Sequence, residues 1–283
     1  MSKMKRKRRG IFRTSEQDAD VTKHLPETPQ TKSPSYRLAF SDQDFLLREE
    51  LRPVRLQLEL LKTEMILQER GINSTIAVFG SARIPKPGAK IQAKSKAAEK
   101  GLANNAKYYE EARKFAKLAS KASKEFDYKE YVLVSGGGPG IMEAVNYGAT
   151  QADAPSIGLN IVLPFEEAPN EYVTPELCFN FHYFALRKMH FLMRAKAAVS
   201  FPGGFGTFDE LFETLTLIQT KRIDPMPVIL FGEKFWNRVI NFEALAEEGT
   251  ISPEDVKLFH FVETAEEGWD IIAKQYDLPG SQD

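Results

Sequence analysis

Cysteine is almost missing from this chain: Cys178 is the only one in 283 residues. A single thiol excludes an intrachain disulfide framework and a cysteine-built metal centre. Histidine is also scarce, and the nearest pair, His182 and His190, are eight residues apart across a helix start, which is poor ligand spacing; no metal is expected. No apolar run approaches the ~18 residues of a membrane-spanning helix. The basic N-terminus is not followed by an apolar stretch, so no secretory signal is expected. These absences point to a cytoplasmic protein that makes no use of a membrane.

The net charge of −1 conceals an asymmetry. Lys3, Lys5, Arg6, Lys7, Arg8 and Arg9 crowd the first ten residues without an acid, and removing these six cations leaves −7 for residues 11–283. Such a tail is either a solvated, disordered segment or a contact for nucleic acid or an anionic surface. Nucleic-acid binding is expected nowhere else in the chain.

Residues 1–40 are polar, interrupted by Pro26, Pro29 and Pro34, and are expected to be mostly disordered. Residues 41–71 read as a helical extension. Leu51, Val54, Leu58, Leu61, Met65 and Gln68 recur three or four apart, predicting one face that packs on the core or on a second subunit. Pro53 starts or kinks this helix, and Gly71 ends it. Residues 72–276 alternate short apolar strands with helices, and 277–283 form a C-terminal tail. Strands are predicted at 74–80, 131–135, 156–163, 177–181, 197–201, 227–231 and 258–262. Helices are predicted at 106–124, 141–151, 184–196, 207–220, 234–247 and 264–275, with residues 86–105 a surface insertion or a helix extension. This alternation implies an α/β fold: one main domain with a parallel sheet covered on both faces, whose ligands bind beyond the carboxyl ends of the strands.

Two glycine clusters fall at strand-to-helix junctions. The first is Ser135-Gly136-Gly137-Gly138-Pro139-Gly140-Ile141-Met142. Glycine admits positive φ and close backbone approach, and the following helix offers free N–H groups to an anion. The G-x-G-x-x-G spacing fails at Ile141, and a tight turn without a ligand is the lesser alternative. The second is Pro202-Gly203-Gly204-Phe205-Gly206-Thr207, leading into Phe208-Asp209-Glu210. Its backbone N–H groups and the Thr207 hydroxyl suit a phosphate monoester, although the Lys-Ser/Thr pair of a Walker loop is missing. Glu210 either works on another part of the ligand or pairs with the helix dipole. Arg187 and Lys188, on an otherwise apolar helix, either bind an anion or snorkel at the surface.

Together, Val78-Phe79-Gly80-Ser81, the Gly136–Met142 cluster, Arg187-Lys188 and Pro202–Glu210 resemble the Lonely Guy (LOG) family, often labelled "possible lysine decarboxylase". The resemblance runs from about Thr75 to Phe231 and is expected to continue to the C-terminus. It implies a Rossmann-like, doubly wound sheet and a phosphoribohydrolase that cleaves nucleoside 5′-monophosphates, such as AMP or cytokinin riboside monophosphates, to free base and ribose 5-phosphate. Carried over by position, Arg187 and Glu210 are catalytic. Substrate and phosphate contacts fall to Ser81, Gly137, Gly138, Gly140, Met142, Lys188, Gly203, Gly204, Gly206, Thr207 and Thr216. The resemblance also implies a homodimer or higher homo-oligomer and requires no cofactor. The chain departs from the plant enzymes at Leu217, where they carry Trp, and at Lys196, where an acid is usual, so base preference stays open.

The alternative within the same fold is a non-catalytic nucleotide or cofactor carrier or sensor; the joint presence of Arg187 and Glu210 favours the enzyme. A true lysine decarboxylase needs a lysine that forms a Schiff base with pyridoxal phosphate. Lys188 is the one candidate near the site, and the matched Arg-Lys pair explains it better.

Overall fold

The computed structural model describes residues 12–91, 93–164 and 168–280. The basic tail, and with it any nucleic-acid contact, lies outside the described residues. The chain forms two compact units, Met1–Leu58 and Glu59–Asp283.

In the first unit, helix α1 (Ser15–Thr22) lies within a stretch expected to lack regular structure. Its cause is a capping box: Thr14 Oγ1 accepts from the Gln17 N–H, and the Gln17 side chain accepts from the Thr14 N–H. The helix predicted from residue 41 is broken into α2 (Gln43–Leu46), a 3₁₀ turn (Glu49–Leu51) and α3 (Arg52–Glu69), which continues into the second unit. Pro53 lies in the first turn of α3, where its missing N–H costs no bond, so it starts this helix rather than kinking it.

The second unit holds seven strands: β1 (Thr75–Phe79), β2 (Val132–Ser135), β3 (Ile157–Ile161), β4 (Cys178–Phe181), β5 (Ala195–Ser200), β6 (Val228–Phe231) and β7 (His260–Val262). They form one sheet in the order β4-β3-β2-β1-β5-β6-β7, and every pairing is parallel. The helices are α4 (Lys96–Asn105), α5 (Lys107–Lys124), α6 (Ile141–Thr150), α7 (Phe184–Leu192), α8 (Phe205–Gln219), α9 (Glu233–Val239), α10 (Phe242–Glu247) and α11 (Ala265–Tyr276). The fold is α/β and Rossmann-like.

Two of the predicted helices end or divide early. The helix predicted over 184–196 stops at Leu192, because Ala195 already pairs with Thr75 and draws Lys196 into β5. The helix predicted over 234–247 divides at Ile240, which is extended, and Asn241 caps a new start by accepting from the Ala244 N–H at 3.1 Å.

Alternating strand residues serve the two faces. Ile76, Val78, Leu133, Val199 and Phe231 pack under α5, α6 and α11. Ala77, Phe79, Val134, Leu159 and Ala198 pack with Phe191 of α7 and Leu67 of α3. Leu211 of α8 joins Val228, Leu230 and Trp236. Each such side chain contributes about 1.5–3 kcal/mol by leaving water. On α3 the packed residues are Thr63 and Leu67, with Ile66 half-buried, whereas Leu61 and Met65 of the predicted apolar face are exposed.

β2 lies on one side of β1 and β5 on the other. The strand order therefore reverses at β1, and the loops leaving β1 and β5 open a crevice at the carboxyl edge of the sheet.

Candidate active site

The crevice is closed by backbone bonds. The Phe201 N–H donates to Phe79 O at 2.9 Å, the Ser81 N–H to Pro202 O at 3.2 Å, and the Ile141 N–H to Ser81 O at 3.2 Å. These bonds join both glycine turns to the loop after β1. At the second turn, α8 begins earlier than predicted: Gly204 is its N-cap, and no side chain caps it. Thr207, buried, folds over Gly203. A Cβ placed on Gly204 or Gly206 would meet nothing within 4 Å. The uncapped N–H groups of α8 thus face open space, the arrangement that binds anions.

That space is a cavity of about 510 Å³ lined by Ser81, Arg83, Met142, Arg187, Gly204, Phe205, Gly206, Thr207, Phe208 and Glu210. Arg187 and Glu210 come from α7 and α8, and their Nη1 and Oε1 atoms are 3.9 Å apart. Only 14% of the Glu210 side chain is exposed. Burial pushes its carboxyl up to about 7; Arg187 opposes that rise and Asp209 adds to it. Arg187 is aimed by its Nε, which donates to Leu159 O at 2.7 Å, and its guanidinium lies 5.3 Å over the Phe191 ring.

The first glycine cluster builds the seat for this arginine. A Cβ on Gly136 would stand 2.6 Å from an Arg187 guanidinium nitrogen and 2.6 Å from Met142 Sδ. Gly140, at φ +69°, lies against Ser81 O. Asn170 secures the loop: its N–H and its Nδ2 both donate to Gly137 O (2.8 and 3.0 Å), and Nδ2 donates to Gly138 O at 2.9 Å. Asn146, fully buried, accepts from Ser135 Oγ and Asn170 Nδ2 and donates to Ser156 Oγ, each at 2.9 Å.

Of the residues singled out in the sequence, Ser81, Met142, Arg187, Gly204, Gly206, Thr207 and Glu210 meet in this cavity. Gly203 lies under Thr207, and Gly137, Gly138 and Gly140 shape the wall without lining it. Lys188 and Thr216 line a neighbouring groove of about 570 Å³ with Phe205, Phe208 and Phe212. Lys188 donates to Asp209 at 2.9 Å and pairs with Glu213 at 3.1 Å. Burial pulls its pKa down, and the two carboxylates outweigh that, holding it above the ordinary value. Arg83, Phe205, Phe208, Asn146 and Asn170 were not singled out. Asn170 follows a proline in a polar loop and carries little sequence signal, since two of its partners are backbone carbonyls and another is Asn146, 24 residues away.

A larger cavity, about 830 Å³, opens at the amino edge between α7 and α8, lined by Met189, Met193, Leu217 and Met226 among others. It reaches neither glycine turn nor Glu210, and the carboxyl-edge crevice is where this topology binds ligands. Among the described residues, no group of three or more His, Cys, Asp or Glu is placed to hold a metal ion, and no helix is long and apolar enough to cross a membrane.

The family described as "Possible lysine decarboxylase" matches residues 142–272, which span Arg187, the second glycine turn and Glu210. The cytokinin riboside 5′-monophosphate phosphoribohydrolase LOG1 of Arabidopsis thaliana is 30% identical over 92 residues, 32% of this chain and 42% of that protein, so the match spans under half of that relative. The molybdenum cofactor carrier protein of Chlamydomonas reinhardtii is similar at 19% identity and TM-score 0.45, covering 72% of this chain and 97% of that one. The molybdenum cofactor binding protein of Rippkaea orientalis is similar at 17% identity and TM-score 0.44, covering 72% and 97%. Residues 142–272 of this chain are thus similar to the LOG-type family described as "Possible lysine decarboxylase".

Proposed function

We propose that this protein hydrolyses the N-glycosidic bond of a purine-type nucleoside 5′-monophosphate, AMP or a cytokinin riboside monophosphate, to free base and ribose 5-phosphate. The observation that carries the reading is the buried Arg187–Glu210 pair beside an uncapped helix start within one cavity. The 5′-phosphate sits on the N–H groups of Gly204–Thr207, with the helix dipole and the open face of Gly206 favouring it. This remote grip orients the ribose. As the bond from C1′ to the base nitrogen breaks, positive charge develops on the ribose. Glu210 stabilises that charge and takes a proton from water, whose oxygen bonds to C1′; the departing base takes up a proton from solvent, and Glu210 then returns its own to solvent, so one water is consumed in all. Arg187 holds substrate and keeps Glu210 ionisable near neutrality. Because Glu210 titrates at about 7, kcat is expected to rise as pH climbs through 7 and to level above it.

A pyridoxal-dependent decarboxylase is disfavoured at this site. A Schiff-base lysine needs a lowered pKa, and Lys188 is tied to two carboxylates that hold it up. We also propose association of two copies through the exposed Leu61, Met65, Phe184, Met189 and Met193, to be checked by sedimentation.

The test incubates purified protein with a panel of nucleoside 5′-monophosphates, including AMP and isopentenyladenosine monophosphate, and measures free base and ribose 5-phosphate. Wild type releases both, and Arg187→Ala and Glu210→Ala each lose about 10²–10⁴-fold in kcat. Tight nucleotide binding without release from any substrate replaces the hydrolase with a carrier or sensor.

A further inference from the structure

Helix α7 carries Arg187 yet has no cap of its own: its N-cap residue, Tyr183, makes no side-chain capping bond. The cap comes from α3. Glu59 Oε2 accepts from the His182 N–H at 3.0 Å, and Oε1 accepts from the Tyr183 N–H at 2.9 Å. A carboxylate at this place meets both the free donors and the positive end of the helix dipole.

A second grip lies at the other end. Glu64, also on α3, holds Arg194 just beyond α7 with both carboxylate oxygens: Arg194 Nη2 donates to Oε2 at 3.0 Å, and Nη1 donates to Oε1. Arg194 Nε donates in turn to Ile72 O at 3.2 Å. His190 of α7, fully buried at its side chain, places Nδ1 3.5 Å from Glu64 Oε1.

Arg187 lies between the grips. Its N–H donates to Tyr183 O at 3.1 Å, so the residue that Glu59 holds also anchors the first-turn bond of Arg187. The Arg187 head must reach Leu159 O and Glu210 at once while lying in the space left by Gly136. An axial slip or rotation of α7 breaks that register, and a misplacement near 1 Å costs about 10²-fold in rate.

We infer that Glu59 and Glu64 are positioning residues: they fix α7 from α3 so that Arg187 is presented to Glu210. The inference deepens the hydrolase reading, because that reading gives Arg187 its work. It also gives α3 a role in the site without touching substrate.

The test compares Glu59→Ala, Glu59→Gln and Glu64→Gln with wild type in the full chain, using steady-state kinetics on the monophosphate found active. The Glu210 carboxyl pKa is followed in parallel by carbon-13 NMR, with Glu210→Gln identifying the signal. Glu59→Ala is expected to lower kcat about 10–100-fold. KM should change less than kcat, because the phosphate grip is on α8 and only the Arg187 contact to substrate is disturbed. The Glu210 pKa should move above about 7 as Arg187 withdraws. Glu59→Gln keeps a carbonyl acceptor and recovers most of the rate and the pKa. Glu64→Gln shifts both in the same direction by less. An unmoved Glu210 pKa in Glu59→Ala overturns the inference, as does a parallel fall in kcat and Tm that Glu59→Gln does not rescue. If wild type hydrolyses nothing, the hydrolase reading falls, and the Glu210 pKa still decides whether Glu59 positions Arg187.

Discussion

The two glycine turns leave neighbouring parts of one sheet edge and use their missing side chains in opposite ways. At Gly136, Gly137, Gly138 and Gly140 an added Cβ would come within 3 Å of another atom: the Arg187 head, Asn160, Met142 and Ser81 O in turn. At Gly204 and Gly206 it would meet nothing within 4 Å. The first turn needs glycine because protein already fills the space, and its carbonyls are held from behind by Asn170. The second leaves its space open. Glycine-rich sequence alone does not distinguish a seat for a side chain from a berth for a ligand; what surrounds the absent Cβ does.

The sharpest break of this comparison is Gly140→Ala. Its φ of +69° is strained for any L side chain, and the new Cβ would be 2.5 Å from a backbone oxygen that cannot swing aside. The expected loss is about 3 kcal/mol or more, combining backbone strain with overpacking. Urea unfolding measures it, and a loss under 1 kcal/mol would mean that the turn is looser than drawn.

Gly136→Ala separates stability from activity. Here the obstructing atoms are the ends of two flexible side chains, Arg187 and Met142, which can move. The chain should fold with a loss of about 1–3 kcal/mol, while displacement of Arg187 should cut kcat about 100-fold. Retained activity would show that Arg187 does not need this seat.

Glu210 sits where the two turns meet, and its titration gives the next effect. Its ordinary value is 4.5 and its folded value about 7, so the folded state binds the proton more tightly. Stability should therefore fall as pH rises from about 4.5 to 7 and hold level above that window. Glu210→Gln removes this dependence. Its unfolding free energy should exceed that of wild type by on the order of 1–3 kcal/mol at pH 8 and match it below pH 4.5, a difference already net of the Arg187 pair. A difference independent of pH would place the proton elsewhere.

Much of this architecture is written in local pattern. Runs such as Thr75–Phe79 and Val228–Phe231 are buried along their whole length, as central parallel strands must be, and the glycine turns fall at strand ends. The site is legible only in part. Arg187 and Glu210 are 23 residues apart in sequence, and their meeting depends on α7 and α8 flanking β5. Glu59 is silent in the sequence because it binds backbone atoms and leaves no complementary side chain to find, and Asn170 nearly so, with Asn146 as its side-chain partner beside two backbone carbonyls. Periodicity on α3 marked a face containing Leu61 and Met65, both exposed, whereas the packed residues are Thr63 and Leu67. Spacing reveals that a helix has an apolar stripe, not which stripe the tertiary fold covers.

The smallest effect is the most discriminating for the second turn. Gly206 has ordinary helical backbone in the first turn of α8, with open space where its side chain would be. Nothing in the protein needs glycine there, and glycine costs a helix about 0.5–1 kcal/mol relative to alanine. Gly206→Ala should therefore stabilise the chain by up to about that amount. If the open space is kept for a phosphate, the same methyl obstructs it, and KM for the monophosphate should rise several-fold with kcat nearly unchanged, the signature of lost uniform binding. A gain in stability with KM unmoved would show that the phosphate does not approach α8 at Gly206. The trade of helix stability for ligand access, absent from the crowded Gly136–Gly140 turn, is what would mark the second turn as the binding one.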